Sequence, residues 1–304
     1  MSTIKNFFSL VKFSHTIFAM PFAMIGFFLG ISVVQGKSGA GISTGLQNPA
    51  QLGLMAFIVK LLLVLLCMVF ARSAAMAFNR WLDKNFDALN PRTSIREIPA
   101  GIISANKALW FVIMNCIAFV ISAAFINLLC FYLSFIALAV VLGYSYTKRF
   151  TPLCHLILGT GLSLAPIGAY LAVTASFAWL PLLFSFAVIF WVSGFDIIYA
   201  LQDVDFDISQ RLHSIPAWLG KRKALQVSRV LHLVSTICIV YAGVMGNFHF
   251  SYWLGVVVFA GMLVYQHSLV KPDDLRKVNL AFMTANGIAS VVFSLFVITD
   301  LLVW

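Results

Sequence analysis

The part of the sequence best suited to chemistry is a polar stretch, 79–101, that follows a long apolar run. It begins with three oxygen-bearing side chains that recur every fourth residue: Asn79, Asp83 and Asp87. On a helix, this spacing places two carboxylates and one amide on one face, one turn apart. Oxygen atoms are the ligands that Mg²⁺ takes in proteins. The spacing therefore predicts a helix face that binds a divalent cation.

A second polar stretch, 196–220, repeats this arrangement. Asp196, Asp203 and Asp207 are spaced i, i+7 and i+11, which again predicts one helix face, whereas Asp205 lies off that face and is expected to face solvent. The pattern D-x-x-F-D occurs at 83–87 and at 203–207, and the tripeptide I-P-A follows in both stretches. Two similar oxygen-rich faces predict metal ions that are held on one diphosphate.

Basic side chains near the acidic stretches suit an anionic ligand. Arg72 precedes Asn79 by seven residues on the same helix face, inside the apolar run. It is either a counter-ion for the acids or a bidentate clamp on a substrate carboxylate or phosphate. Other Lys and Arg side chains at helix ends are ordinary topology signals, but beside a diphosphate they become phosphate contacts. These further candidates are Arg92, Arg96, Lys148 and Arg149, and Tyr144 lies one helical turn before Lys148 in the same cluster.

Composition indicates a polytopic membrane protein. The 304 residues are 62% hydrophobic and only 10% charged, with a mean hydropathy of +0.98, which excludes an ordinary soluble protein. Seven of the ten acidic residues, six Asp and Glu97, fall in the two polar stretches, so acidity is concentrated where chemistry is expected. The net charge of +10 comes from residues at membrane edges, so we expect no nucleic-acid partner.

A spanning helix needs about 20 apolar residues. Nine segments meet this requirement, and they predict an all-α chain that forms a single membrane domain over 1–304. The segments are 16–35, 52–78, 107–126, 128–146, 153–174, 179–201, 226–246, 251–269 and 280–303.

The distribution of basic residues predicts the orientation. Seventeen Lys and Arg residues flank the segments on one side and only Lys37 lies on the other, which places the N-terminus inside and the C-terminus outside. Both acidic stretches then open to the cytoplasm. The five Cys lie in apolar runs and are expected to be buried. The six His show no metal-binding spacing; His213 is the candidate ligand contact, and the others are interpreted as structural or interfacial.

Taken together, these motifs resemble the UbiA superfamily of membrane prenyltransferases. The pattern N-x-x-x-D-x-x-x-D at 79–87 is similar to the first signature of that family, and D-x-x-Y-A-x-x-D-x-x-x-D at 196–207 is similar to the second. The segment 144–151 is similar to a third block of the family. The resemblance covers nearly the whole chain, and the two motifs together are highly specific.

The resemblance implies nine transmembrane helices around a central cavity in which two Mg²⁺ bind a polyprenyl diphosphate. It implies an aromatic acceptor, typically 4-hydroxybenzoate on the way to a quinone. The metal–diphosphate residues would be Asn79, Asp83, Asp87, Asp203 and Asp207. The residues that line the reaction site would be Arg72, Tyr144, Lys148 and Asp196.

The chain departs from the ubiquinone-type pattern in two places. Ser209, Arg211 and His213 precede Ser214 where that pattern has K-x-G-x-K-S, and His15-Thr16 replaces an Arg-Pro pair. This form resembles a 4-hydroxybenzoate polyprenyltransferase-like branch, of which some members serve menaquinone synthesis. A dihydroxynaphthoate is therefore the alternative acceptor.

The chemistry that follows from these groups is prenyl transfer to an aromatic carbon, with Asp196 as the candidate for positioning the acceptor or removing the ring proton. The lipid tail of the donor would lie in the bilayer or in an apolar groove. A cation-coupled transporter is the alternative from another class, since transporters also keep carboxylates inside helix bundles. The acidic residues are predicted to lie at one membrane face, beside Arg and Lys, and this position favours an enzyme over a transporter. The partners that the sequence predicts are the polyprenyl diphosphate, the aromatic acceptor and the lipid bilayer, and no motif identifies a protein partner.

Overall fold

The computed structural model describes residues 3–11, 19–36 and 53–304. Twelve α-helices are numbered α1 to α12 in chain order, and a 3₁₀ turn precedes α9 and a π-helical segment precedes α12. Their bounds are Thr3–Leu10, Met20–Val34, Leu54–Leu82, Lys84–Leu89, Ala105–Ile126, Leu128–Thr147, Cys154–Thr174, Trp179–Ala200, Val204–Ser209, Ile215–Met245, Phe250–Leu269 and Asn286–Val303. The 3₁₀ turn is Leu201–Asp203 and the π-helical segment is Leu280–Ala285.

The all-α membrane architecture is confirmed. Eight helical segments in the described part of the chain are long and apolar enough to cross a membrane, and α2 is a shorter apolar helix of 15 residues. These nine segments match the nine predicted ones. The start of the first segment, His15-Thr16, Lys12 and Lys37 lie outside the described residues.

Helix α2 lies inside the bundle, against α7, α8 and α12. Gly26 makes this possible, because a Cβ atom there would lie 1.9 Å from the carbonyl oxygen of Pro166 in α7. Next to this contact, Phe22 of α2 packs with Trp191 and Phe293 in an aromatic core. The core therefore fixes the positions of α7 and α8, which carry part of the site.

The helices change direction at the polar stretches. The ends of α3, α6 and α8 and the starts of α5, α7 and α10 lie at one end of the bundle, because successive spans run antiparallel. The backbone N–H of His213 donates to the carbonyl oxygen of Lys148 at 2.7 Å, which joins the loop after α9 to the end of α6. This end of the bundle holds both acidic stretches.

The expectation of one uninterrupted helix face was wrong for both stretches. Helix α3 ends at Leu82, and Asp83, at φ −92° and ψ 10°, links it to α4. In the second stretch α8 ends at Ala200, and the 3₁₀ turn separates it from α9. A 3₁₀ turn has three residues per turn, so it changes the face on which later side chains lie.

Candidate active site

A cavity of about 390 Å³ lies among the ends of α3, α6, α7 and α8. All but one of the predicted metal, diphosphate and reaction-site residues line it, including Arg92 and Asp203, which are 111 positions apart along the chain. They are Arg72, Asn79, Asp83, Asp87, Arg92, Arg96, Tyr144, Lys148, Arg149, Asp196 and Asp203. The fold thus brings the two acidic stretches and the basic candidates to one place.

The first carboxylate of the site, Asp83, pairs with a basic residue of the third block. Its Oδ1 lies 3.2 Å from a terminal nitrogen of Arg149, and its Oδ2 accepts a 3.3 Å hydrogen bond from Asn79. Burial raises the pKa of Asp83 above its usual value, although the hydrogen bond and charge of Arg149 act in the opposite direction. A nearby divalent cation would favour the ionised form.

The second carboxylate, Asp87, is 6% exposed. Its Oδ1 lies 2.7 Å from Arg96, and its Oδ2 is buried without a hydrogen-bond partner among the described residues. Its backbone carbonyl accepts a hydrogen bond from the Thr93 hydroxyl at 3.1 Å. Because an unsatisfied buried oxygen is costly, Oδ2 of Asp87 is an available ligand position.

Asp203 makes the most extensive ion pair of the site. Arg92 donates to Oδ1 from Nε at 3.0 Å and to Oδ2 from Nη2 at 2.5 Å, and Asn90 donates to Oδ1 at 3.2 Å. Arg92 also donates to the Tyr199 hydroxyl at 3.0 Å. This bidentate pair joins the loop after α4 to the end of α8 across the cavity.

Asp207 is the predicted site residue that does not line the cavity. Its side chain is fully buried, its Oδ1 lies 2.6 Å from Nζ of Lys148, and its Oδ2 accepts a 3.0 Å hydrogen bond from Ser214. Asp207 lies in α9, after the 3₁₀ turn, and reaches the cavity only through Lys148, which lines it. Asp205 is exposed, as the sequence predicts.

Arg72 occupies a different position from the other basic residues. It lines the polar cavity, its Nε is buried without a hydrogen-bond partner, and no carboxylate of the described residues forms an ion pair with it. The counter-ion interpretation requires such a partner. The geometry therefore favours the interpretation of Arg72 as a ligand contact.

A second, apolar cavity of about 310 Å³ adjoins the first and extends along α3, α6 and α7. The two cavities share lining residues, so the polar cavity and the apolar cavity lie next to each other. The shared residues are Arg72, Met76, Tyr144, Leu158 and Leu162.

His155 was missed by the sequence analysis. It lies in the first turn of α7, lines the cavity and places its Nδ1 2.7 Å from Oδ2 of Asp196. The polar part of the lining also includes Asn90, Thr93 and Ser145. A His in the first turn of a spanning helix, at the end that holds the acidic stretches, was the available signal, but only the fold brings it to Asp196. His213, by contrast, is exposed and does not line the cavity.

The ligand atoms of the site suit Mg²⁺ by their chemistry, because they are carboxylate and amide oxygens and because one oxygen of Asp87 has no protein partner. Among the described residues, no three His, Cys, Asp or Glu side chains already converge as a metal site. Instead, Asp83, Asp87 and Asp203 are each held by an arginine. Asn79, Asp83, Asp87 and Asp203 fit a cation that arrives with an anion able to take over these arginines.

The fold and the site define an integral-membrane helical protein with an ion-paired cavity that adjoins an apolar one. The chain belongs to the UbiA prenyltransferase family, whose model matches residues 43–288.

Related proteins and structures agree with this membership. The chain is 30% identical over 236 residues to a 4-hydroxybenzoate octaprenyltransferase of Tolumonas auensis, with 77% of this chain and 82% of that protein covered. It is 28% identical over 230 residues to a protein of the same name from Francisella tularensis, with 76% and 81% covered. A UbiA homologue from Aeropyrum pernix superposes with a TM-score of 0.74 at 26% identity, covering 95% of this chain and 97% of that one.

A UbiA homologue from Archaeoglobus fulgidus, whose structure is bound to DMAPP and Mg²⁺, superposes with a TM-score of 0.69. It is 19% identical and covers 98% of this chain and 100% of that one, which shows the shared fold.

Proposed function

We propose that this protein transfers a polyprenyl group from polyprenyl diphosphate to an aromatic acceptor such as 4-hydroxybenzoate, as a step of quinone biosynthesis. The observation that carries the proposal is the junction of the two cavities. Ion-paired carboxylates and arginines surround one cavity, and the apolar cavity begins at Arg72 and Tyr144. A polyprenyl diphosphate combines the same two properties, because its charged diphosphate is joined to a long apolar chain.

The diphosphate would take over the basic side chains that now hold the carboxylates. Arg92, Arg96, Lys148 and Arg149 each contact one Asp, and each has a side chain that is 24% to 34% exposed. Phosphate oxygens are equally good partners for guanidinium and ammonium groups. The exchange would free Asp83, Asp87 and Asp203, with Asn79, for metal binding.

Mg²⁺, when bound, neutralises the diphosphate and makes it a better leaving group. We propose two ions, one for each acidic stretch, with Asp207 acting in this conformation through Lys148. The charged end of the donor would then lie among the arginines, and its chain would run into the apolar cavity or the bilayer.

The remaining residues would act on the acceptor. The allylic C–O bond breaks and its electron pair leaves with the diphosphate. An electron-rich ring carbon of the acceptor forms the new C–C bond, and Asp196 takes the proton from that carbon. Arg72, which lies where the two cavities meet, would bind the acceptor carboxylate or the diphosphate, and Tyr144 would line the reacting atoms.

Dihydroxynaphthoate remains the second acceptor. Of the sequence departures that suggested it, Ser209, Arg211 and His213 are exposed and do not line the cavity, and His15-Thr16 lies outside the described residues, so these departures do not decide between the acceptors. The transporter alternative is disfavoured by the family match and by the position of the acids at one end of the bundle.

The test uses membranes that contain the protein, a labelled polyprenyl diphosphate and Mg²⁺, with 4-hydroxybenzoate or dihydroxynaphthoate offered in turn. We expect a labelled prenylated product from 4-hydroxybenzoate that is lost when EDTA is added. If only dihydroxynaphthoate gives a product, then dihydroxynaphthoate is the acceptor in place of 4-hydroxybenzoate. If neither compound gives a product, the proposed function is contradicted.

We also propose that the site faces the cytoplasm, with the N-terminus inside and the C-terminus outside. Ala88 and Ser209 are exposed near the acidic stretches, and Ser176 is exposed in the turn between α7 and α8 at the opposite end. In a Cys-less background, single cysteines at 88 and 209 should resist an impermeant thiol reagent in intact cells, whereas a cysteine at 176 should react. Labelling at 88 or 209 from outside would overturn this orientation.

A further inference from the structure

His155 is buried beside the proposed reaction site and has two defined partners. Its side chain is 3% exposed, and its Nδ1 lies 2.7 Å from Oδ2 of Asp196. On the other side of the ring, the backbone N–H of Ile215 points to Nε2 at 3.4 Å. Both ring nitrogens are therefore engaged.

These two contacts select one tautomer of His155. Ile215 is the first residue of α10, where a backbone N–H has no partner within its own helix. Since that N–H is a donor, Nε2 must accept, and Nδ1 must carry the hydrogen. His155 therefore donates from Nδ1 to the Asp196 carboxylate, which accepts.

The backbone around this pair is tightly held. The Ser193 hydroxyl lies 2.6 Å from the carbonyl oxygen of Ile189 in its own helix and 3.1 Å from the carbonyl oxygen of His155, which places α8 directly against the first turn of α7. One turn further along α7, Gly159 permits close packing, since a Cβ atom there would lie 2.5 Å from the carbonyl oxygen of Ile189 and 2.6 Å from Oγ of Ser193. The distance between His155 and Asp196 is thus set by the α7–α8 contact.

The consequence for Asp196 is that one of its two oxygens is committed and the other is not. Oδ2 accepts from His155, whereas Oδ1 has no hydrogen bond to any residue that the structure describes. The Asp196 side chain is 24% exposed and lines the cavity. A carboxylate held by one oxygen cannot rotate freely, so its other oxygen keeps a fixed direction.

We propose that His155 is a positioning residue for prenyl transfer, which fixes the Asp196 carboxylate so that its free oxygen meets the aromatic acceptor. This inference rests on the proposed function and assigns to it a residue that acts through Asp196. His155 itself does not contact the acceptor, because both of its nitrogens are occupied.

The variants follow from the geometry of the ring. In His155→Asn, the side-chain amide nitrogen takes the place of Nδ1 and can still donate to Asp196. In His155→Ala the donor is absent, and in His155→Gln the amide is displaced towards the position of Nε2. His249→Gln is the matched control, since His249 lies 3.6 Å from the carboxylate of Asp300 at the opposite end of the bundle.

We expect kcat of His155→Ala and His155→Gln to fall by about tenfold to a hundredfold, the scale of one hydrogen bond to a charged group. The KM for polyprenyl diphosphate should stay unchanged, because His155 does not contact the arginines that would hold it. His155→Asn should recover most of kcat, and His249→Gln should behave as wild type.

A double-mutant comparison separates positioning from folding. If His155 acts through Asp196, then His155→Ala should cause no further loss in an Asp196→Asn background. The inference is overturned if the fold-losses in kcat of the two single variants multiply in the double variant, or if His155→Asn does not recover activity.

The wild type is measured first in the same assay. Absence of transfer by the wild type to both acceptors contradicts the proposed function, and the inference then falls with it. Transfer by the wild type together with a normal kcat in His155→Ala contradicts the inference alone.

Discussion

The two ends of the helix bundle use buried carboxylates in different ways. At the end opposite the cavity, Asp300 is 2% exposed and accepts from the backbone N–H groups of His249 and Tyr252 and from the Ser251 hydroxyl. Asp300 thus holds the start of α11, since Tyr252 and Ser251 lie in its first turn and His249 is the residue before it. At the cavity end, Asp83, for example, contacts a side chain that also lines the cavity.

The difference distinguishes a carboxylate whose partners are fixed by the fold from carboxylates whose partners can be exchanged. Backbone N–H groups at a helix start cannot leave their positions, so Asp300 is committed to the fold. The arginines that pair with the cavity carboxylates have partly exposed side chains, so an incoming anion can reach them and take them over as its own partners. A carboxylate whose partners can move is available to a metal ion, and one whose partners are fixed backbone groups is not.

The largest expected effect tests the exchangeable carboxylates. Asp83→Ala and Asp203→Ala should each reduce prenyl transfer by about a hundredfold or more, because each removes charged ligands that stabilise the leaving group. Asp205→Ala is the matched control, since Asp205 is exposed in the same motif and should keep wild-type rates. Initial rates at saturating Mg²⁺ measure this, and near-normal activity of either cavity variant would refute the two-metal assignment.

A smaller effect is expected at Arg72, where the two cavities meet. Arg72→Lys keeps the charge but loses the planar fork, so transfer should fall by about tenfold or more, the scale of a lost charge-assisted contact. Steady-state kinetics would assign the residue: a higher KM for the aromatic acid places Arg72 on the acceptor, and a higher KM for the prenyl diphosphate places it on phosphate.

Arg72→Leu serves as the comparison for that experiment. If Arg72→Lys keeps wild-type rates and Arg72→Leu fails through loss of folded protein, then Arg72 is a counter-ion and not a ligand contact.

The smallest effect on activity is expected at Asp300. Asp300→Ala should lower the thermal stability of the purified protein, because a lost helix cap costs about 0.5–2 kcal/mol. The specific activity of the folded fraction should remain that of the wild type. Thermal unfolding followed by tryptophan fluorescence, with activity measured on the same sample, checks both parts. If Asp300→Ala loses prenyl transfer while its melting temperature is unchanged, the distinction between the carboxylates at the two ends of the bundle is wrong.

Much of this architecture could be predicted from the sequence. Apolar runs of the length of a membrane span are visible without any tertiary information, and so is the clustering of acids at 79–87 and 196–207. The spacing also separated Asp205 from the cavity correctly. These features depend on local periodicity, which the sequence contains directly.

Other features depend on contacts between distant segments. Asp207 is held by Lys148 and Ser214 and does not line the cavity, and no spacing rule indicates these partners. The pairing of His155 with Asp196 joins positions 41 residues apart, and the Arg92–Asp203 pair joins positions 111 residues apart. The sequence predicts a phosphate contact for Arg92, but only the fold shows which carboxylate Arg92 holds.

The central claim is that the acidic residues of the cavity hold a diphosphate through Mg²⁺, and the most direct measurement of it is metal-dependent binding. A non-reactive polyprenyl diphosphate analogue is titrated into the purified protein with Mg²⁺ and again with EDTA, alongside Asp203→Ala and Asp205→Ala. We expect tight binding by the wild type and Asp205→Ala only when Mg²⁺ is present, and weak binding by Asp203→Ala in both conditions. Equal affinity of the wild type with and without Mg²⁺ would contradict the account.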